Sequence, residues 1–120
     1  MADIKLFEAE YKLMEIIWEL EPVNSTQLSK VCEERLGWKK STSYNMLRKL
    51  ADKGAVENKE AVVTALLKRE DALRAESEAL MERAFAGSVP LFVATLLGGR
   101  KLTAKEAEEL KELIEEAAKP

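Results

Sequence analysis

Trp38-Lys39-Lys40-Ser41-Thr42-Ser43-Tyr44-Asn45-Met46-Leu47-Arg48-Lys49-Leu50-Ala51-Asp52-Lys53-Gly54-Ala55-Val56 is the stretch whose reading decides the fold. At a helical period Ser43, Met46, Leu47, Leu50 and Ala51 fall on one mostly apolar stripe. The other face carries Thr42, Tyr44, Asn45, Arg48, Lys49 and Lys53, with Lys39, Lys40 and Ser41 at the amino-terminal end. Hydroxyls, an amide and cations are the groups that read base edges and hold phosphates. Gly54 closes the helix and the β-prone pair Ala55-Val56 follows at once. Helix, glycine and strand in that order predict a recognition helix leading into the wing of a winged helix-turn-helix, with double-stranded operator DNA as partner. On charge alone, a solvated helix face with ordinary lysines reads equally well.

Outward from this stretch, the preceding segments supply the rest of such a domain. A first helix is expected from about Glu8 to Leu20, with Leu13, Met14, Ile17 and Leu20 inward and Tyr11 and Trp18 flanking. Glu21-Pro22 ends it, because proline disfavours helical backbone in the residue before it. Asn24-Ser25-Thr26-Gln27 reads as a capping box, with Val23 and Leu28 spaced for a hydrophobic staple. The second helix then runs from about Ser25 to Arg35 with Leu28, Val31 and Cys32 inward, and Leu36-Gly37-Trp38 makes the turn. Beyond Gly54, Ala55 to Asn58 and Ala61 to Leu66 are expected to pair as a hairpin around Lys59-Glu60, although the second segment is helix-or-strand by periodicity alone.

From about Glu70 the chain takes on long-helix chemistry, with Leu73, Leu80, Met81, Ala84 and Phe85 in a stripe. Gly87 ends that helix and Ser88-Val89-Pro90 opens another, proline being at home in a first turn. Leu91-Phe92-Val93-Ala94-Thr95-Leu96-Leu97 is apolar on nearly every side and needs cover on all faces. After Gly98-Gly99, Thr103-Ala104-Lys105-Glu106 is a second capping box. The expected fold is therefore mainly α with a small β-hairpin wing: a winged helix-turn-helix domain over residues 1–69 and a three-helix dimerisation domain over 70–120. A segment this short cannot enclose so apolar a middle helix alone. Leu91, Phe92, Leu96, Leu97, Leu110, Leu113 and Ile114 are the expected homodimer seam. The alternative is that they pack back on the winged helix of the same chain.

Composition narrows the classes. The 120 residues hold one standard domain or a small domain with an appendage, and 34% charged residues argue against disorder. No apolar run approaches the ~20 residues of a membrane span. Met1-Ala2-Asp3-Ile4-Lys5 lacks the pattern of a signal peptide. One cysteine, Cys32, permits no internal disulfide and fits a reducing cytoplasm. The net charge of −3 is unevenly placed: residues 38–59 hold six basic and two acidic side chains, residues 70–120 seven basic and eleven acidic. For a polyanion the local patch counts more than the sum. There is no histidine, no nucleophile with a base, and no glycine-rich phosphate loop. An enzyme, a metal site and a cofactor are accordingly not expected.

Taken in order, Leu6-Phe7-Glu8-Ala9-Glu10-Tyr11-Lys12-Leu13-Met14-Glu15-Ile16-Ile17-Trp18, Gly37-Trp38-Lys39-Lys40-Ser41-Thr42, Leu47-Arg48-Lys49-Leu50-Ala51-Asp52-Lys53-Gly54, Ala86-Gly87-Ser88 and Leu110-Lys111-Glu112-Leu113-Ile114 resemble the BlaI/MecI/CopY family of penicillinase-type transcriptional repressors. The resemblance implies a homodimeric repressor whose third helix enters the major groove of a palindromic operator, relieved by a sensor protease or by a metal. This chain departs from the family pattern in several places. Phe7 stands where a capping Ser or Thr is usual, and Ser43 where an apolar residue is usual. The wing, Glu57-Asn58-Lys59-Glu60, lacks the usual arginine and tyrosine. The paired cysteines of the copper-responsive branch are missing, and Thr95-Leu96 replaces the Asn-Phe bond cut in the β-lactam-responsive branch. A winged-helix module that binds protein and has lost DNA binding is the competing reading. The polar outward set speaks against it, since an adaptor surface exposes more apolar area.

Overall fold

The computed structural model describes residues 4–120; Met1, Ala2 and Asp3, part of the amino-terminal reading above, lie outside the described residues. The elements run α1 (Glu8–Leu20), β1 (Val23–Asn24), α2 (Ser25–Leu36), α3 (Lys40–Asp52), β2 (Val56–Lys59), β3 (Val62–Ala65), α4 (Arg69–Phe85), α5 (Val89–Leu97) and α6 (Ala104–Ala117). By its contacts the chain forms two units, Met1–Glu78 and Ala79–Pro120. The change in composition at residue 70 coincides with the start of α4.

In the first unit the three helices of the amino-terminal half pack over a small sheet of order β1-β3-β2. Leu13, Met14, Ile16 and Ile17 of α1 meet Leu28 and Cys32 of α2, Leu47 and Leu50 of α3, and Val23, Val56 and Val63 of the strands. Each such side chain, fully buried, contributes about 1.5–3 kcal/mol. The inward stripe of α1 is wider than periodicity suggested: Ile16 is buried while Leu20 is only half-buried. Ala51, expected on the inner stripe of α3, is exposed.

The helix-turn-helix corner is made by Gly37, at φ 69°, where a side chain would be strained. Its N–H donates to Glu33 O at 3.1 Å and Trp38 N–H to Cys32 O at 3.4 Å, which satisfies the last carbonyls of α2. At the start of α2, Asn24 accepts from Thr26 N at 2.8 Å. The reciprocal bond from Gln27 expected of a capping box is not among those formed by the described residues. Asn24 is instead drawn into β1, opposite Val62, an element periodicity cannot reveal at two residues.

The hairpin forms one residue later than expected. Lys59 pairs with Val62, so the turn is Glu60-Ala61. Both residues have positive φ, 51° and 64°, without being glycine. The turn is further held by Ser25 N, which donates to Ala61 O at 2.8 Å. The segment from Val62 to Ala65 is a strand, which resolves the earlier ambiguity; Leu66 and Leu67 continue the chain out of it by donating to Ala55 O.

The second unit follows its punctuation closely. Ser88 caps α5, accepting from Leu91 N at 3.2 Å, with Pro90 in the first turn. Thr103 and Glu106 form a reciprocal capping box on α6, each bond 3.0 Å. Those bonds to Thr103 hold the Glu106 carboxyl below the usual carboxylate range. Phe85 and Phe92 meet edge-to-face at 5.2 Å.

Two left-handed, non-glycine residues in a two-residue hairpin are costly, at roughly 1–2 kcal/mol each, and Asn-Gly is the pair such turns favour. Glu60→Asn combined with Ala61→Gly is expected to stabilise the fold by about 0.5–1 kcal/mol after the extra chain entropy of glycine is deducted. Urea unfolding of the two proteins measures it; an unchanged or lower midpoint would show the turn is unstrained.

Candidate nucleic-acid interface

Helix α3 turns Ser43, Leu47 and Leu50 inward. With 3.6 residues per turn, the opposite side is then fixed as Ser41, Thr42, Asn45, Arg48, Lys49 and Asp52, all exposed. Lys39 and Lys40, also exposed, stand at its amino-terminal end. Asn45, Arg48 and Lys49, at i, i+3 and i+4, lie side by side on that face.

Tyr44 sits on the flank towards α2. Its hydroxyl is 3.4 Å from Thr26 Oγ1, and Lys40 Nζ lies 6.0 Å from the centre of its ring. The Thr26 hydrogen bond, ahead of the Lys40 charge, holds the Tyr44 phenol below its ordinary value. Thr26 is a member of this surface that sequence reasoning missed. The two residues are 18 apart, and the only signal was the position of Thr26 at the start of a helix.

Lys53 corrects the expectation. Its ammonium does not join the outward cations but turns back to Glu10 Oε1 at 2.5 Å and to Lys5 O at 2.8 Å, over the ring of Phe7 at 4.4 Å. The reason is Glu10, of which 1% is exposed: a carboxylate so removed from water needs a cation. Glu10 Oε1 also accepts from Phe7 N at 2.8 Å. Phenylalanine has no acceptor, so the start of α1 keeps half of a capping box, supplied entirely by Glu10.

Behind α3, Ser43 is 4% exposed and lies by the Cys32 thiol without reaching hydrogen-bond geometry. Burial pushes that thiol up, with Ser43 opposing weakly, so Cys32 is an unreactive core residue. The wing residues Glu57, Asn58, Lys59 and Glu60 are exposed, two acids to one base. Arg35 donates to both Glu19 carboxylate oxygens through its two terminal guanidinium nitrogens, at 2.5 and 3.2 Å. Among the described residues no group of three or more acidic, cysteine or histidine side chains is arranged to hold a metal.

A winged helix-turn-helix with an exposed, cation-bearing third helix is the class this geometry defines. The family model for the penicillinase repressor matches residues 6–116, and the chain belongs to that family of transcriptional repressors. It is 26% identical to the penicillinase repressor of Bacillus licheniformis over 116 residues, covering 93% of this chain and 91% of that protein.

The Glu10–Lys53 pair generates a direct test. Breaking a fully buried pair by removing one partner costs about 3–5 kcal/mol, and less here because 28% of the Lys53 side chain is exposed. Lys53→Ala should therefore destabilise by about 2 kcal/mol, and adding Glu10→Leu should recover most of it. If Lys53→Ala leaves the denaturation midpoint unchanged, the pair does not hold the helix.

Proposed function

We propose that this repressor is a homodimer that binds a palindromic operator through α3. The observation that carries the reading is the composition of the exposed α3 face: Asn45, Arg48 and Lys49 together, with Ser41 and Thr42 one turn nearer the amino terminus. Amino-terminal residues of a recognition helix reach base edges, and Asn pairs with adenine through two hydrogen bonds. Lys39 and Lys40 supply charge for flanking phosphates. The wing, with its excess of acid, contributes little.

The second unit supports pairing. Its helices α5 and α6 have no buried residue at all. Leu91, Leu96, Leu113 and Ile114 are exposed, and Phe92, Leu97 and Leu110 only half-buried. Apolar surface on that scale marks an interaction site, and a second copy presents the same surface. A sensor protease, the inducing partner implied by the resemblance, would have to unwind the last turn of α5 to reach Thr95-Leu96. Among the described residues no single helix is long and apolar enough to cross a membrane.

Two measurements test the proposal. In binding to an operator selected from random duplexes, Arg48→Ala should weaken all DNA similarly and lower the salt slope by roughly one. Asn45→Ala should cost about 1–3 kcal/mol of discrimination at one base pair. Parental affinity in both variants would reject α3 as the reading element. For assembly, Phe92→Asp places a charge in the seam and should yield monomers with weakened operator binding in sedimentation and titration. A parent that is itself monomeric at micromolar concentration would reject the dimer.

A further inference from the structure

We infer that Asp52 is a specificity-determining residue of α3, one that weakens binding to non-cognate DNA by repelling phosphate. The inference rests on the DNA reading above. Asp52 lies seven residues after Asn45 and four after Arg48, on the same exposed face, and is the last residue of the helix. Three features set it apart from an ordinary surface acid. It stands at the negative end of the helix dipole, where a carboxylate is destabilising. It forms no ion pair among the described residues, although Lys49 and Lys53 line the same groove. Lys53 has its ammonium committed to Glu10, and Lys49, one turn back on the same face, is not within ion-pair distance of Asp52. A carboxylate kept without an ion pair at the negative end of a helix dipole departs from the local rule in the way expected at a functional position.

The carboxy-terminal end of a recognition helix lies away from the base edges and towards the sugar–phosphate backbone. A carboxylate there repels every duplex, but in a cognate complex the base contacts of Asn45 and its neighbours offset the repulsion. In a non-cognate complex nothing does, so the charge widens the gap between the two, which is how a repulsive element confers specificity.

Fluorescence anisotropy with the selected operator and a short scrambled duplex, at low and physiological salt, tests this in the full-length chain. Asp52→Asn should tighten binding to the scrambled duplex about fivefold at low salt, the equivalent of about 1 kcal/mol for one charge pair near 4 Å in water. Asp52→Lys should tighten it further. Both should lower the ratio of operator to scrambled affinity, and the difference should shrink as salt rises. Thermal midpoints at or above the parent's are expected, since a helix-terminal acid is removed. Glu108→Gln on α6 controls for net charge. If Asp52→Asn matches the parent on scrambled DNA, or Glu108→Gln tightens binding as much, the inference is overturned while the DNA reading stands. If the parent binds neither duplex, both are overturned.

Discussion

A carboxylate taken out of water has to be neutralised, and in this protein that requirement falls on Glu10. Its single paired oxygen gathers the Phe7 amide and the Lys53 ammonium, which itself reaches the Lys5 carbonyl. Three parts of the chain are thereby joined: the segment entering α1, the first turn of α1 and the exit from α3. Helix α3 is located at its other end by the Gly37 corner. With both ends fixed and Leu47 and Leu50 anchored in the core, the face bearing Asn45 and Arg48 has one orientation relative to α1 and α2. A buried ion pair contributes little net stability compared with an apolar replacement, but breaking half of it is costly. Its value here is positional.

Most of the architecture was legible because its signals are local. Glycine and proline punctuate it at Pro22, Gly37, Gly54, Gly87 and Pro90, and side-chain caps at Asn24, Ser88 and Thr103 start the helices where expected. The outward face of α3 could be read from a 3.6-residue period once Leu47 and Leu50 were placed inside. Helix α1 begins at Glu8 despite Phe7, because Glu10 supplies the half of the box that a phenylalanine cannot interfere with.

What escaped the sequence depends on partners far along the chain. Lys53 is one more outward cation by periodicity, and only the burial of Glu10, 43 residues away, explains why it turns inward. The strand β1 exists because β3 lies beside it, not because Val23-Asn24 has a strand's pattern. Thr26 joins the α3 surface through a hydroxyl that no spacing rule connects to Tyr44. Asp52 was counted as a charge and set against the lysines, whereas among the described residues it forms an ion pair with none of them.

The absence of any buried side chain in α5 and α6 has a consequence for the amount of protein a cell must keep. When a folded core is completed only between copies, its stability follows mass action and cannot be separated from concentration. If the chain pairs as proposed, dilution would uncover the apolar faces of α5 and α6 as well as empty the proposed operator. Under that reading the stability of the carboxy-terminal unit rises with the amount of chain present.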